Sequence, residues 1–337
     1  MAGSLALFVD TELELPSKPR QPSKSRTLPA LRATLGRRLL TWVGENAVRT
    51  HYHATGVDFL NPKGAPALYA PTSLSWRVYK NPVSMAIGGI AAVLLELAEP
   101  RVRSGIWDHS NFATATFARI RRTGVAALTT IYAPSETATD MIQTVRRMHD
   151  RVQGVTPNGV AYRANNPVLL DWVQATVSFG FLEAYCAFVH PFNDEERDRF
   201  YSESEPSARL FGAIGAPRSV SAMRRQLERM KPALEPHPIV HEFMSILSRT
   251  PLLPRGLRPL QQVVLRAAVS ILPDWLARRL ELAGSFRLRP GEKRLLQTLG
   301  AAADRIPLIH APPAQASLRL GLPFDYLYRG PRDRISA

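Results

Sequence analysis

The sequence predicts an all-α fold, and three observations predict it. Apolar residues recur at the three-to-four-residue spacing of helices. Prolines and small polar residues divide the chain into segments of helical length. Alternating strand-like runs are rare, and no strand–helix alternation announces a parallel sheet.

In chain order, residues 1–30 place Pro16, Pro19, Pro22, Ser23 and Ser25 among Lys18, Arg20, Lys24 and Arg26, and read as a basic mobile arm. Leu31–Val43 has the pattern of a basic amphipathic helix, either a solvated edge or a contact for a membrane surface or an acidic partner. Pro82 opens an apolar helix to Ala98, with Pro100 as its expected stop. That stretch is shorter than a bilayer span and contains Glu96, which favours a buried helix over one lying shallowly in a membrane.

Ser135, Thr137 or Thr139 caps the next clear helix, and Gly154 is its expected terminator. Asn166-Pro167 opens another helix, apolar on nearly all sides through Val189. Helical patterns follow at Ser219–Met230, Val240–Leu247, Leu260–Leu280 and Gly291–Ala302. Residues 31–305 therefore read as one helical domain, and 306–337 as a Pro/Arg-rich tail packed across its surface.

Composition narrows the function classes. A chain of 337 residues with 45% hydrophobic and 21% charged content can bury a sizeable core. Its single cysteine, Cys186, allows no internal disulfide, no cysteine metal cluster and no CxxCH haem attachment. The first apolar run, Leu5–Val9, meets Asp10 and Glu12 at once and is too short for a signal peptide, so a cytoplasmic location is expected. The formal charge of +15 favours anionic partners, including a membrane surface touched peripherally. The basic residues are scattered, however, and zinc-finger, RNP and Walker patterns are absent, so nucleic acid is not the expected partner.

The chemistry centres on one helix. On a wheel drawn over Glu136–Gln153, Met141, Ile142, Val145, Met148 and Val152 fall within an arc of about 120°. His149 lies in that arc, opposite Gln143, Arg147, Asp150 and Arg151. Desolvation favours a neutral imidazole there, which is either a metal ligand or a hydrogen-bonded core group. The preceding helix carries Arg119-Ile120-Arg121-Arg122-Thr123, and the following one places Thr176, Gly180 and Glu183 on one face. Gly180, like Gly88 and Gly89, admits close approach by a backbone or by a flat macrocycle. GxSxG, HExxH, GxGxxG and GxxxxGK[ST] motifs are absent. His237 and His241 have i,i+4 spacing but no third ligand, and Cys186 reads as a packed small hydrophobe.

Val145-Arg146-Arg147-Met148-His149-Asp150-Arg151-Val152 resembles the core motif of the family containing the fungal oxygenase MpaB and the bacterial latex clearing protein. Further pieces resemble that family in the same order. They are Leu94–Pro100, Asp108-His109-Ser110, Arg119-x-x-Arg122-Thr123, Tyr162-x-Ala164 with Asn166-Pro167, Leu170–Thr176 and Glu195–Glu203. The resemblance implies a globin-like helical core holding non-covalent haem b, and oxidative cleavage of isoprenoid C=C bonds by dioxygen. It assigns the proximal iron ligand to His149 and the distal side to Arg119, Arg122 and Thr123; Thr176, from the small and polar stripe of the following helix, is a candidate cofactor contact.

The chain also departs from that family. A lysine of the latex-cleaving members is Arg122 here, which stays protonated and cannot readily ligate iron. It is expected to donate to dioxygen or to a haem propionate. Gln174 replaces a common histidine, and Glu96 and Glu99 replace glutamine and histidine; either glutamate is a candidate base or a salt-bridged helix-end carboxylate. The expected activity is a haem-dependent oxygenase acting on a hydrophobic, isoprenoid-like substrate. A non-catalytic haem carrier or sensor, and a basic peripheral membrane or nucleic-acid binder, are the competing readings.

Overall fold

The computed structural model describes residues 56–109, 112–251 and 255–329, all within one compact unit, Thr41–Ala337. The expected arm at residues 1–30 and the amphipathic helix at Leu31–Val43 lie outside the described residues. The described fold is all-α apart from one short hairpin.

Helix α1 (Leu74–Tyr79) leads into α2 (Pro82–Ala98), where Asn81 caps the first turn by accepting from the Val83 and Ser84 amides and Pro82 occupies a position needing no amide donor. Pro100 does not end the helical run; it begins α3 (Pro100–Asp108), bent 110° from α2. Glu99 explains the corner, because its carboxylate accepts from the Val102 amide at 2.8 Å and pairs with Arg101 at 2.6 Å. Then come α4 (Phe112–Tyr132), α5 (Ser135–His149), the antiparallel pair β1 (Gln153–Val155) and β2 (Ala161–Arg163), and α6 (Pro167–Phe188). No single described helix is long and apolar enough to cross a membrane.

The core is organised on α2 and α6, which pack on each other more extensively than any other pair. Gly88 and Gly180 make this possible: a Cβ on Gly88 would lie 2.7 Å from the Gly180 carbonyl oxygen and 2.8 Å from Phe181 Cα. Of the two uses foreseen for these glycines, the structure shows backbone-to-backbone packing. Trp76, Leu94, Leu95, Trp172, Leu182 and Tyr185 fill the interior around the crossing.

Helices α7 (Asp194–Glu203), α8 (Glu205–Phe211), α9 (Val220–Met230), α10 (Pro238–Arg249), α11 (Arg258–Ser270), α12 (Asp274–Arg279) and α13 (Glu292–Ala303) complete the shell. The pattern read as one helix over Leu260–Leu280 is two, because Pro273 interrupts the ladder between α11 and α12. The final helix, α14 (Pro312–Arg319), drives Arg319 into the interior, with 1% of its surface exposed. Its guanidinium donates to the carbonyls of Phe59, Ala65 and Tyr132 at 2.7, 2.8 and 2.8 Å. A segment that reads as surface tail thus fastens the loop before α1 to the end of α4.

Candidate functional site

Helices α4 and α5 pack together, joined only by Ala133 and Pro134. Arg119 stands near the middle of α4 and His149 at the far end of α5. At 1.5 Å per residue both lie roughly 20 Å of helix from that hinge. Ile142 and Ala138 are the buried residues of α5, while Met148 is 54% exposed. That corrects the wheel, which placed Met148 on the buried face. Arg119 and His149 are half-buried; Arg122 and Thr123 are exposed.

The helix ends at His149, earlier than the expected Gly154, and Val152 lies beyond it. The physical reason lies downstream. The β1–β2 hairpin turns the chain back, with the Ala164 amide bonded to the Val152 carbonyl at 2.9 Å. Asn165 thereby meets the last turn of α5: its Nδ2 donates to the Arg146 carbonyl at 3.1 Å and to Asp150 Oδ1 at 2.5 Å. A side chain from outside the helix satisfies a terminal carbonyl that glycine was expected to serve. Burial lowers the His149 pKa, opposed by Asp150 and by the Asn165 side chain, so the ring is neutral at neutral pH. His149 Nδ1 and Asn165 Oδ1 are both buried without a hydrogen-bond partner.

A second cluster lies where α2 meets α6. Thr176 is fully buried and its hydroxyl contacts Glu96 Oε1 at 3.2 Å and the Val173 carbonyl at 2.8 Å. Burial pushes the Glu96 pKa up to about 7 against the opposing pull of the Thr176 hydroxyl and the Arg119 charge. The carboxyl lies deep in the bundle, while the residue as a whole is half-buried. Arg119 in turn feels the charges of Glu96 and Arg122, which ties one of the expected distal residues to this carboxylate.

The structure separates the two candidate bases. Glu99 is a helix cap held by Arg101, whereas Glu96 has its carboxyl on the site side with Thr176. Glu183 pairs with Arg197, beside a cleft of about 290 Å³ between α6, α7, α9 and the α11–α12 corner, away from His149. His109 Nε2 lies 3.2 Å from the Tyr162 hydroxyl, and His237 Nδ1 caps α10 through the Ile239 amide. Cys186 is partly buried, and burial pushes its thiol pKa up. Asn165 escaped the sequence reading. Its one signal was its place directly before Asn166-Pro167, the capping pair of α6.

Among the described residues, no group of three or more His, Cys, Asp or Glu is placed to hold a bare metal ion. A neutral imidazole whose other ring nitrogen is buried suits a cofactor that brings its own remaining donors. A search of curated proteins and one of solved structures return no match. A family model described as "ER-bound oxygenase mpaB/B'/Rubber oxygenase, catalytic domain" matches residues 76–305, a span that takes in α2, the Arg119–Thr123 segment, His149, Thr176 and the helices around them. The chain therefore belongs to the mpaB/rubber oxygenase catalytic-domain family.

Proposed function

We propose that this oxygenase is haem b-dependent and oxidises a hydrophobic substrate, an isoprenoid-like chain attacked at a C=C bond. The observation that carries the proposal is His149: a neutral, half-buried imidazole at the end of α5, within the span of the family match and in a Met148-His149 pair that resembles the family's motif. Haem, held through His149 Nε2, would supply the activation of dioxygen.

The remaining work falls to the chain's own groups. Arg119 and Arg122 bring fixed positive charge that favours an oxidant gaining electron density, and Thr123 adds a hydroxyl donor. The Arg122 guanidinium offers N–H donors and no acceptor, so it serves as donor and not as ligand. Glu96, with a pKa of about 7, is poised to take an allylic proton near neutrality. Thr176 contributes by holding Glu96 in place. Oxygen uptake by the haem-loaded protein over a panel of isoprenoids tests the reaction. Substrate-dependent uptake with shortened, carbonyl-ended products is expected; haem binding with no uptake across the panel would make the protein a carrier instead.

Glu96 also gives a pH-dependent expectation. The folded protein holds this proton more tightly than the unfolded chain, so unfolding releases it between about pH 4.5 and 7. Stability from this group therefore falls as pH rises through that window. The isosteric E96Q variant lacks the loss, and should exceed wild type by about 3 kcal/mol at pH 8. The difference should vanish below about pH 4. Denaturant titrations of both proteins at several pH values check it; parallel pH profiles would place the Glu96 pKa in the ordinary range.

A further inference from the structure

Two buried polar atoms near the end of α5 lack a hydrogen-bond partner, and they are complementary: His149 Nδ1, which can carry a proton, and Asn165 Oδ1, which can only accept one. The amide's orientation is fixed. Nδ2 donates to the Arg146 carbonyl and to Asp150 Oδ1, and turning the amide over would set Oδ1 against two acceptors. Oδ1 is therefore the atom left for a donor, and the Asn165 side chain lies near enough to the imidazole to favour its protonated form.

We propose that Asn165 is a positioning residue for His149: its Oδ1 takes the Nδ1–H and so commits Nε2 to carrying the ligating lone pair. Asp150, accepting from Nδ2 of the same amide, completes a chain of carboxylate, amide and imidazole in which each hydrogen bond polarises the next. A neutral amide in the middle keeps the imidazole neutral, where a directly bonded carboxylate would draw its proton away. The residues that build this support come from both sides of the hairpin, which gives β1 and β2 a purpose: they return Asn165 to the helix that ends at His149. The inference rests on reading His149 as the iron ligand, but the pairing itself can be read without iron.

The test uses the full chain, labelled with ¹⁵N-histidine, first without haem and then titrated with it. The His149 resonances are assigned from their absence in H149Q. Wild type is expected to show the Nδ1–H tautomer, and N165A the Nε2–H form that an unconstrained imidazole favours. On titration, N165A should bind haem about 10- to 100-fold more weakly. An Nε2–H tautomer in wild type overturns the proposal, and that measurement needs no substitution to fold. So does an N165A protein with unchanged tautomer and unchanged haem affinity. An Nδ1–H tautomer in a wild-type chain that takes up no haem supports the pairing while refuting the haem assignment, so the two failures are distinct.

Discussion

The H149A protein is expected to fold and to emerge from purification without haem, whatever haem is supplied during expression. The reasoning is a matter of ligand number. The described residues offer no cluster that could hold iron by several side chains, so a non-covalent haem depends on one axial bond and on packing. The cost to folding is small, because the half-buried ring ends a helix whose buried contacts are Ala138 and Ile142. Far-UV circular dichroism should match wild type while the Soret band is lost. Added free imidazole should restore part of the band by filling the space the side chain left. A Soret band of wild-type position and intensity in H149A would assign the iron to another residue.

The largest effect on stability is expected from R319A. Arg319 is among the largest fully buried side chains, and its guanidinium makes three charge-assisted bonds to backbone carbonyls. Burial lowers its pKa to about 10, still far above neutrality, so the group is cationic where it sits. Each such bond contributes roughly 1.5–3 kcal/mol, and with incomplete additivity about 4 kcal/mol should be lost. For a domain of this size that lowers Tm by roughly 10 °C. One of the three carbonyls is that of Tyr132, the last residue of α4, directly before the hinge into α5. Loss of Arg319 should therefore also speed hydrogen exchange at the start of α5. Lysine can reach only part of this arrangement, so R319K should recover less than half the loss. Thermal melts of the three proteins decide it; an R319A melt within about 2 °C of wild type would mean the interior carbonyls find other donors.

The class of fold was legible because helical periodicity, proline openings and Asn caps are local signals. Pro82 and Asn166-Pro167 marked the starts of α2 and α6 correctly. What escaped depends on partners distant in sequence. Pro100 looked like an end because proline stops a helix from within, but Glu99 turned it into a beginning. The end of α5 was misplaced because its terminal carbonyl is served by Asn165, across a hairpin too short to show alternation. Met148 fell on the apolar arc by spacing alone, yet more than half of its surface is exposed. Arg319 reads as one arginine among many in a basic tail.

The site was legible in the same uneven way. His149 came from a helical wheel and a resemblance of motifs, Arg119, Arg122 and Thr123 from that resemblance, and Thr176 from the polar stripe of its own helix; all five lie within the span of the family match, residues 76–305. Glu96 and Glu99 could not be told apart in sequence, three residues apart on one helix end. Their environments separate them: one carboxylate caps a helix beside an arginine, and the other faces Thr176 and Arg119 with its pKa raised to about 7. Asn165 needed the hairpin to be seen.

Titration of the purified full-length wild-type chain with haem, followed by its absorption spectrum, tests the assignment of His149 most directly. The account predicts a Soret band that saturates at one haem per chain and is abolished by H149A. A wild-type protein that stays colourless with haem in excess, or a saturating band that survives the loss of the imidazole, would contradict it.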